Sequence, residues 1–136
     1  MSATVQKSLR IPSRTATEIE RIARESGREF SAVANELFEE ALRMHRCPGI
    51  VFAEGTTGRR ARVAGTAIEV WEIIATYRSV KEDWKRLLRA YDWLAEPQLR
   101  AAIGYYRAFP QEIERLVRQN EELTPEFVRK RFPSLS

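Results

Sequence analysis

The beginning of the chain alternates between polar and apolar positions. From residue 4 to residue 11 the apolar side chains Val5, Leu9 and Ile11 occupy every second position, and only Lys7 interrupts the pattern. A period of two is typical of a strand with one buried face. The pattern therefore predicts a short β-strand at the N-terminus, which ends where a proline follows at position 12.

Beyond that proline, the apolar period changes to that of a helix. It predicts a first helix over residues 13–26, with Thr15 and Glu18 as a capping box and a glycine as its stop signal. A second helix is predicted over residues 31–46, with Ser31 as its N-cap. Both helices carry one apolar face.

A strand and two helices in residues 1–47 cannot bury their apolar faces alone. A single strand leaves both of its backbone edges without a hydrogen-bonding partner, and the segment is too short for a large core. A second copy of the chain would supply the missing edge. We therefore expect residues 1–47 to form a dimerisation domain.

The pattern changes again around Pro48. Two short strands are predicted at Ile50–Phe52 and Ala61–Val63, on either side of a turn rich in Gly and Arg. Ser79 and Glu82 are predicted to cap a charged helix. Helices are predicted at residues 70–77, 79–88, 97–108, 110–122 and 125–131. We expect a helical domain with an N-terminal hairpin over residues 48–122, and a C-terminal helix or tail over residues 123–136.

The overall charge is mildly positive. The 23 basic and 19 acidic residues give a net charge of +4, and the excess lies in the middle of the chain around Arg59, Arg60 and Arg62. We expect these three at a hairpin tip, where they either contact a DNA backbone or an acidic protein surface, or only keep the turn soluble. One cysteine and the lack of an apolar leader or membrane-spanning run predict a cytoplasmic protein.

The sequence does not predict catalysis. His45 and Cys47 are the only residues of their types, and two ligands are too few for a tetrahedral zinc site. No nucleophile elbow or phosphate loop is present. We expect neither catalytic residues nor a metal or other cofactor.

Three short blocks mark the N-terminal domain, namely Ser8–Pro12, Arg24–Gly27 and Phe30–Ala32. Together they resemble the ribbon-helix-helix family of bacterial repressors. In that family, strands from two chains pair antiparallel and lie in the major groove of DNA. The resemblance implies a homodimer, or a higher oligomer, that binds double-stranded operator DNA.

Strand parity puts Gln6, Ser8 and Arg10 on the face opposite Leu9 and Ile11. Arg can contact guanine with two hydrogen bonds, Gln can do the same with adenine, and Ser can donate or accept. The resemblance implies that these three side chains read base edges. The alternative is an ordinary edge strand whose polar side is only solvated.

Phosphate contacts are predicted on both sides of this strand. Lys7 occupies an inward position and could extend its ammonium group to the ribbon edge. Family members clamp a phosphate at the start of their second helix, where backbone N–H groups attract anions. The resemblance implies that role for Ser31 and Ala32, whereas simple N-capping is the alternative for Ser31.

The second domain carries a different resemblance. Arg62–Thr66, Val70–Ile74 and Ala101–Tyr106 are similar to the domain-of-unknown-function family numbered 433. Members resemble small winged or helix-turn-helix modules and are associated with VapB-type antitoxins, whose partners are PIN-like ribonuclease toxins. The resemblance implies such a toxin as a partner of this chain.

The C-terminal segment combines apolar anchors with cations. It contains Phe127, Arg129, Arg131 and Phe132, and comparable segments of antitoxins cover the toxin groove. An inserted Arg could neutralise the carboxylates that hold the toxin's metal ions. An ordinary terminal helix would have the same residues.

These resemblances together predict a mainly α protein in which a ribbon-helix-helix dimer precedes a small helical domain. We expect an antitoxin that neutralises a PIN-like ribonuclease and represses its own operon. The first alternative is a stand-alone dimeric transcriptional regulator. The second is an interaction adaptor without a DNA role, whose affinity for DNA would not depend on Arg10.

Overall fold

The computed structural model describes residues 3–55 and 58–122. Within these ranges the protein is mainly helical, with one antiparallel pair of strands. The elements are α1 (Ser13–Ser26), α2 (Phe30–Arg46), β1 (Ile50–Gly55), β2 (Gly58–Val63), α3 (Val70–Ser79), α4 (Trp84–Ala90), α5 (Glu96–Ala108) and α6 (Pro110–Glu122). None of the helices in these ranges combines the length and apolar character needed to cross a membrane.

The chain divides into two compact units, Met1–Leu42 and Arg43–Ser136. We call them unit 1 and unit 2. The division lies inside α2, earlier than the boundary after Cys47 that the sequence suggested. Arg43 is the first residue of unit 2, and its guanidinium bonds to Glu112 of the same unit.

Unit 1 is held together by a small contact between its two helices. The buried side chains are Ile19 and Ala23 of α1 with Val33 and Ala34 of α2. Helix α1 ends at Gly27 as predicted, with φ +65°, a left-handed conformation that favours glycine. The next N–H group, that of residue 28, donates to the carbonyl oxygen of residue 23 at 2.9 Å and closes the last turn.

Both predicted N-caps in unit 1 are wrong. Helix α1 begins at Ser13, directly after the proline, and no side chain caps it. Glu18 bonds to Arg21 at 2.8 Å instead of reaching back to a capping residue. Helix α2 begins one residue before Ser31, because the carbonyl oxygen of Glu29 already accepts the N–H of residue 33 at 3.1 Å. Ser31 therefore lies in the first turn.

The predicted N-terminal strand is not formed in the single chain. Residues 3–12 adopt no regular secondary structure. Val5 and Leu9, which were expected to face a core, are 77% and 64% exposed. A strand requires hydrogen bonds to a neighbouring strand, and the structure holds one chain.

Unit 2 is built around α3, which packs against α4, α5, α6 and β2. The hairpin was predicted, and its strands pair from Ile50 opposite Val63 to Gly55 opposite Gly58. The apolar face predicted for α3 is confirmed, since Val70, Ile73 and Ile74 are buried. The other buried members of this core are Ile50, Ala61, Val63, Leu87, Leu94, Leu99, Ala102, Ile103, Tyr105, Ile113, Leu116 and Val117.

The loop before the hairpin contains a close backbone approach. Gly49 has φ +92°. A Cβ atom placed on it would lie 3.1 Å from the Cβ of Ala101 on α5. Glycine at this position satisfies both the left-handed conformation and the short distance to the helix.

The turn between α3 and α4 differs from the prediction. Ser79 is the last residue of α3, and its hydroxyl donates to a carbonyl oxygen of its own helix at 2.7 Å. Lys81 and Glu82 have φ values of +59° and +56°, so they cannot belong to a right-handed helix. The N-cap of α4 is Asp83, which accepts the backbone N–H of residue 86 at 3.1 Å. The charged helix predicted over residues 79–88 therefore begins only at Trp84.

The remaining helices of unit 2 agree closely with their proline signals. Helix α6 begins at Pro110 and ends at Glu122, as predicted. Helix α5 begins one residue before Pro97, and the Gln98 side chain accepts the N–H of Ala95 at 2.8 Å. The helix predicted over residues 125–131 lies outside the described residues.

Candidate nucleic-acid interface

The three residues predicted to read bases are all exposed. Gln6, Ser8 and Arg10 lie in the irregular segment before α1. Their side chains make no hydrogen bond or ion pair within residues 3–55 and 58–122. Their polar groups are therefore available to a ligand, although the single chain does not form the strand that would align them.

A groove of about 400 Å³ lies between this segment and the two helices of unit 1. It brings Lys7 and Ser8 to the same surface as Ser31 at the start of α2. Gln6, Arg10 and Ala32 do not line it. Its full lining is Lys7, Ser8, Leu9, Ile11, Thr15, Ile19, Phe30, Ser31, Ala34, Asn35 and Phe38.

Large apolar side chains are exposed mainly in unit 1. Among the described residues, those of unit 1 are Val5, Leu9, Ile11, Phe30, Leu37, Phe38 and Leu42, whereas those of unit 2 are Met44, Val51 and Trp93. We call the first set the apolar face of unit 1. Four of its members also line the groove. An apolar surface of this density on a single small unit indicates a binding surface.

The start of α2 contains a residue that the sequence analysis missed. Arg28 precedes the helix, bonds to Glu36 at 3.0 Å and also donates to the carbonyl oxygen of Ala32 at 3.5 Å. The first N–H groups of α2, including those of Ser31 and Ala32, have no acceptor within the helix itself. A basic residue three positions before the predicted helix was the available signal.

The arginines of the hairpin are not at its tip. Arg59 and Arg62 lie in β2 and donate to carbonyl oxygens of β1, and the bond from Arg62 to Glu54 is 3.1 Å long. The Nε of Arg60 lies 3.4 Å from Oε1 of Glu69, and both side chains are largely buried. The guanidinium groups of Arg59 and Arg62 therefore connect the two strands, and Arg60 connects β2 to the start of α3.

Two similar polar clusters connect α5 and α6 to other elements. In the first cluster, Arg43 bonds to Glu112 at 2.7 Å, and the Tyr105 hydroxyl donates to the same carboxylate at 2.5 Å. Burial of the Tyr105 ring and the neighbouring Glu112 charge raise the pKa of this hydroxyl well above its usual range. The tyrosine therefore stays protonated and remains a donor.

The second cluster repeats this arrangement one residue further along α5. Arg78 pairs with Glu114, and the Tyr106 hydroxyl donates to that carboxylate at 2.5 Å. The hydrogen bond from Arg78 lowers the pKa of Glu114. Both clusters were missed, although adjacent tyrosines followed by Glu-x-Glu across a helix turn were a visible signal.

The predicted toxin-binding residues and a possible metal site remain to be considered. The predicted toxin-binding residues Phe127, Arg129, Arg131 and Phe132 lie outside the described residues. Within the part of the chain that the structure describes, no three His, Cys, Asp or Glu side chains form a group that could hold a metal ion.

The described fold is that of a small, mainly helical protein with one β-hairpin. The solved structure of a DUF433 member protein from Anabaena variabilis ATCC 29413 is 34% identical over 60% of this chain and 82% of that chain, with a TM-score of 0.44. No family model and no curated protein matches the chain. By sequence identity over that length, the chain belongs to the DUF433 family.

Proposed function

We propose that the protein is a dimeric DNA-binding repressor and that it serves as the antitoxin of a PIN-like ribonuclease. The observation that carries the DNA-binding part is the apolar face of unit 1, which lies beside exposed polar side chains that have no partner. Gln6, Ser8 and Arg10 are such side chains. The protein would act in the cytoplasm, where its operator lies.

A second copy of the chain is the partner that explains the apolar face best. Covering one large apolar side chain contributes roughly 1.5–3 kcal/mol relative to leaving it in water. Pairing residues 4–11 with their copy would also satisfy the backbone groups of that segment. A symmetric pair would then present two sets of base-reading side chains to two half-sites.

In such a paired ribbon, alternation would direct the leucine and isoleucine inward and the polar residues outward. Lys7 and Ser31 share a groove in the single chain, which supports phosphate contacts beside the ribbon. Ala32 would contribute its backbone N–H from the first turn of α2.

The antitoxin part rests on different support. Membership in the DUF433 family agrees with the resemblance of residues 62–66, 70–74 and 101–106, and that resemblance implies an association with VapB-type antitoxins. Unit 2 has its own core and can carry a separate interaction. We propose that residues 123–136 contact the toxin, with Arg129 and Arg131 directed at its carboxylates.

The DNA-binding part is tested by titrating the protein onto a duplex that contains its own promoter, at several salt concentrations. Arg10→Ala is expected to weaken binding to that duplex by about tenfold or more, as the loss of a bidentate base contact would. Arg14→Ala, which removes the same charge from the first turn of α1, is the matched control. Equal affinities of the two variants would exclude base reading by Arg10.

The antitoxin part is tested by purifying the tagged protein from its host at moderate salt and identifying bound proteins by mass spectrometry. A small PIN-like ribonuclease in a stoichiometric amount is expected. Arg129→Ala/Arg131→Ala should release it, whereas Lys85→Ala/Arg89→Ala on α4 should not. A dimer that binds the promoter but retains no ribonuclease would favour the stand-alone regulator.

A further inference from the structure

We propose that unit 2 carries a second contact surface for duplex DNA, which binds phosphates through arginines around the turn between α5 and α6. We call it the arginine surface, and it consists of Arg46, Arg107, Arg115 and Arg118. The inference rests on the proposed DNA-binding function and extends it to unit 2. Two grooves of about 450 and 1010 Å³ carry these side chains, and Ala108 lines both.

The acidic side chains in the larger groove do not balance these arginines. Glu112 is bonded to Arg43 and Glu114 is paired with Arg78, so both charges are already compensated. Arg115 and Arg118, which line the same groove, form no ion pair in the described ranges, although the charge of Arg118 helps to lower the pKa of Glu114. The groove therefore carries an excess of positive charge.

The smaller groove has the same character. It is lined by Arg46 and Arg107, which also lack an ion-pair partner among the residues described. The guanidinium of Arg46 lies over the ring of Phe109, 5.4 Å from its centroid. Stacking on an aromatic ring orients the planar group and leaves its N–H edge available to an anion.

The chemistry of this surface favours DNA over an acidic protein. Protein interfaces depend on large apolar anchors that become buried at their centre. Among the described residues of unit 2, the exposed large apolar side chains are Met44, Val51 and Trp93, and none of these lines either groove. DNA interfaces are polar and strongly basic, and arginine is a principal donor to phosphate oxygens.

The test compares three forms of the full-length protein on the promoter duplex and on a duplex of unrelated sequence. Arg115→Ala/Arg118→Ala is expected to weaken binding to both duplexes by the same factor. The plot of log affinity against log salt should become shallower by about 1.8 per protomer, because two phosphate contacts are lost. Arg115→Lys/Arg118→Lys should keep most of the slope, since the charge remains.

The matched control is Lys85→Ala/Arg89→Ala, which removes two exposed charges from α4 in the same unit. We call Arg115→Ala/Arg118→Ala the α6 variant. If the control lowers the salt slope as much as the α6 variant does, the lower slope reflects the net charge of the protein, and the inference is wrong. The inference is also wrong if the α6 variant keeps its DNA affinity but loses an acidic protein partner. Far-UV circular dichroism checks that all variants are folded.

The outcomes for the two proposals can be separated. If Arg10→Ala has no effect on the promoter duplex while the α6 variant loses affinity for both duplexes, base reading by unit 1 fails and the arginine surface stands. If Arg10→Ala loses only promoter affinity and the α6 variant behaves like its control, the opposite holds.

Discussion

The two units differ in how many of their apolar side chains are buried. Among the described residues, unit 2 buries fifteen side chains in one core around α3, whereas unit 1 buries four between its helices. Seven large apolar side chains of unit 1 remain exposed. The comparison shows that unit 2 has the core of an independent domain, while the N-terminal unit leaves most of its large apolar side chains exposed.

Spectroscopy can follow the two units separately. The three tryptophans of the chain, Trp71, Trp84 and Trp93, all lie in unit 2. Tryptophan fluorescence therefore reports the unfolding of that unit, whereas far-UV circular dichroism also includes α1 and the first part of α2. Agreement or disagreement between the two signals tests whether the units unfold together.

The largest expected effect comes from the core of unit 2. Leu99→Ala removes a side chain with no exposed surface, and it should lower the free energy of unfolding by about 2–5 kcal/mol. Urea unfolding followed by tryptophan fluorescence measures this change. Leu42→Ala is the matched control, because that leucine of unit 1 is 69% exposed, and it should leave the fluorescence transition within about 0.5 kcal/mol of the original.

The next effect concerns the apolar face of unit 1. Phe38→Asp places a charge on that face and should raise the dissociation constant of the dimer by about 30-fold or more, as expected for the loss of an anchor residue. Sedimentation at a series of protein concentrations measures the change. Trp93→Asp alters an exposed aromatic residue of unit 2 and should leave the dimer intact. Equal effects of the two variants on the dissociation constant would show that the dimer contact is not confined to unit 1.

A smaller effect separates the two polar clusters of unit 2. Tyr105→Phe removes a buried donor to Glu112 and should cost about 1.5 kcal/mol, because hydrogen bonds to charged groups are among the stronger ones. Tyr106→Phe removes the equivalent donor to Glu114 nearer the surface and should cost less than half as much. Urea unfolding of both variants measures the difference, and a larger cost for Tyr106→Phe would contradict the assigned burial.

The smallest effect is a loss of stability in alkaline solution. The pKa of Tyr105 is raised in the folded state above the ordinary value of 10.0, so its contribution is fully present below pH 10.0 and declines as the pH rises further. Unit 2 should lose about 1 kcal/mol by roughly pH 11 through this group. Tyr105→Phe should remove that part of the decline, as measured by urea midpoints at several pH values. If Tyr105→Phe loses stability with pH as steeply as the original protein, other titrating groups cause the loss.

Apolar periodicity predicted most of the fold. It identified the buried residues of α3, because there the pattern and the packing agree, whereas α6 was placed correctly by the proline at its first position. The capping boxes at Thr15 and Ser79 failed for a common reason. A capping motif needs a particular backbone conformation, and the neighbouring proline and the left-handed turn at Lys81 decided where those helices begin and end.

The candidate site was less predictable than the fold. Exposure of Gln6, Ser8 and Arg10 agrees with their polar character, but the single chain does not form the strand that was predicted to align them. The cluster around Tyr105 and Glu112 depends on how α5 and α6 meet across a short turn. The spacing of the tyrosines and glutamates was a visible signal for part of this pairing, but the contribution of Arg43 from another helix is set by tertiary geometry.

The two left-handed glycines have different consequences for how the sequence can diverge in evolution. Gly27 has open space around it, so Asn, which tolerates the left-handed region, is an acceptable replacement among relatives. Gly49 has no such freedom, because its conformation and the methyl group of Ala101 restrict it together. Any side chain at position 49 would therefore have to adopt a strained backbone conformation and also displace Ala101, so we expect this glycine to be the less replaceable of the two.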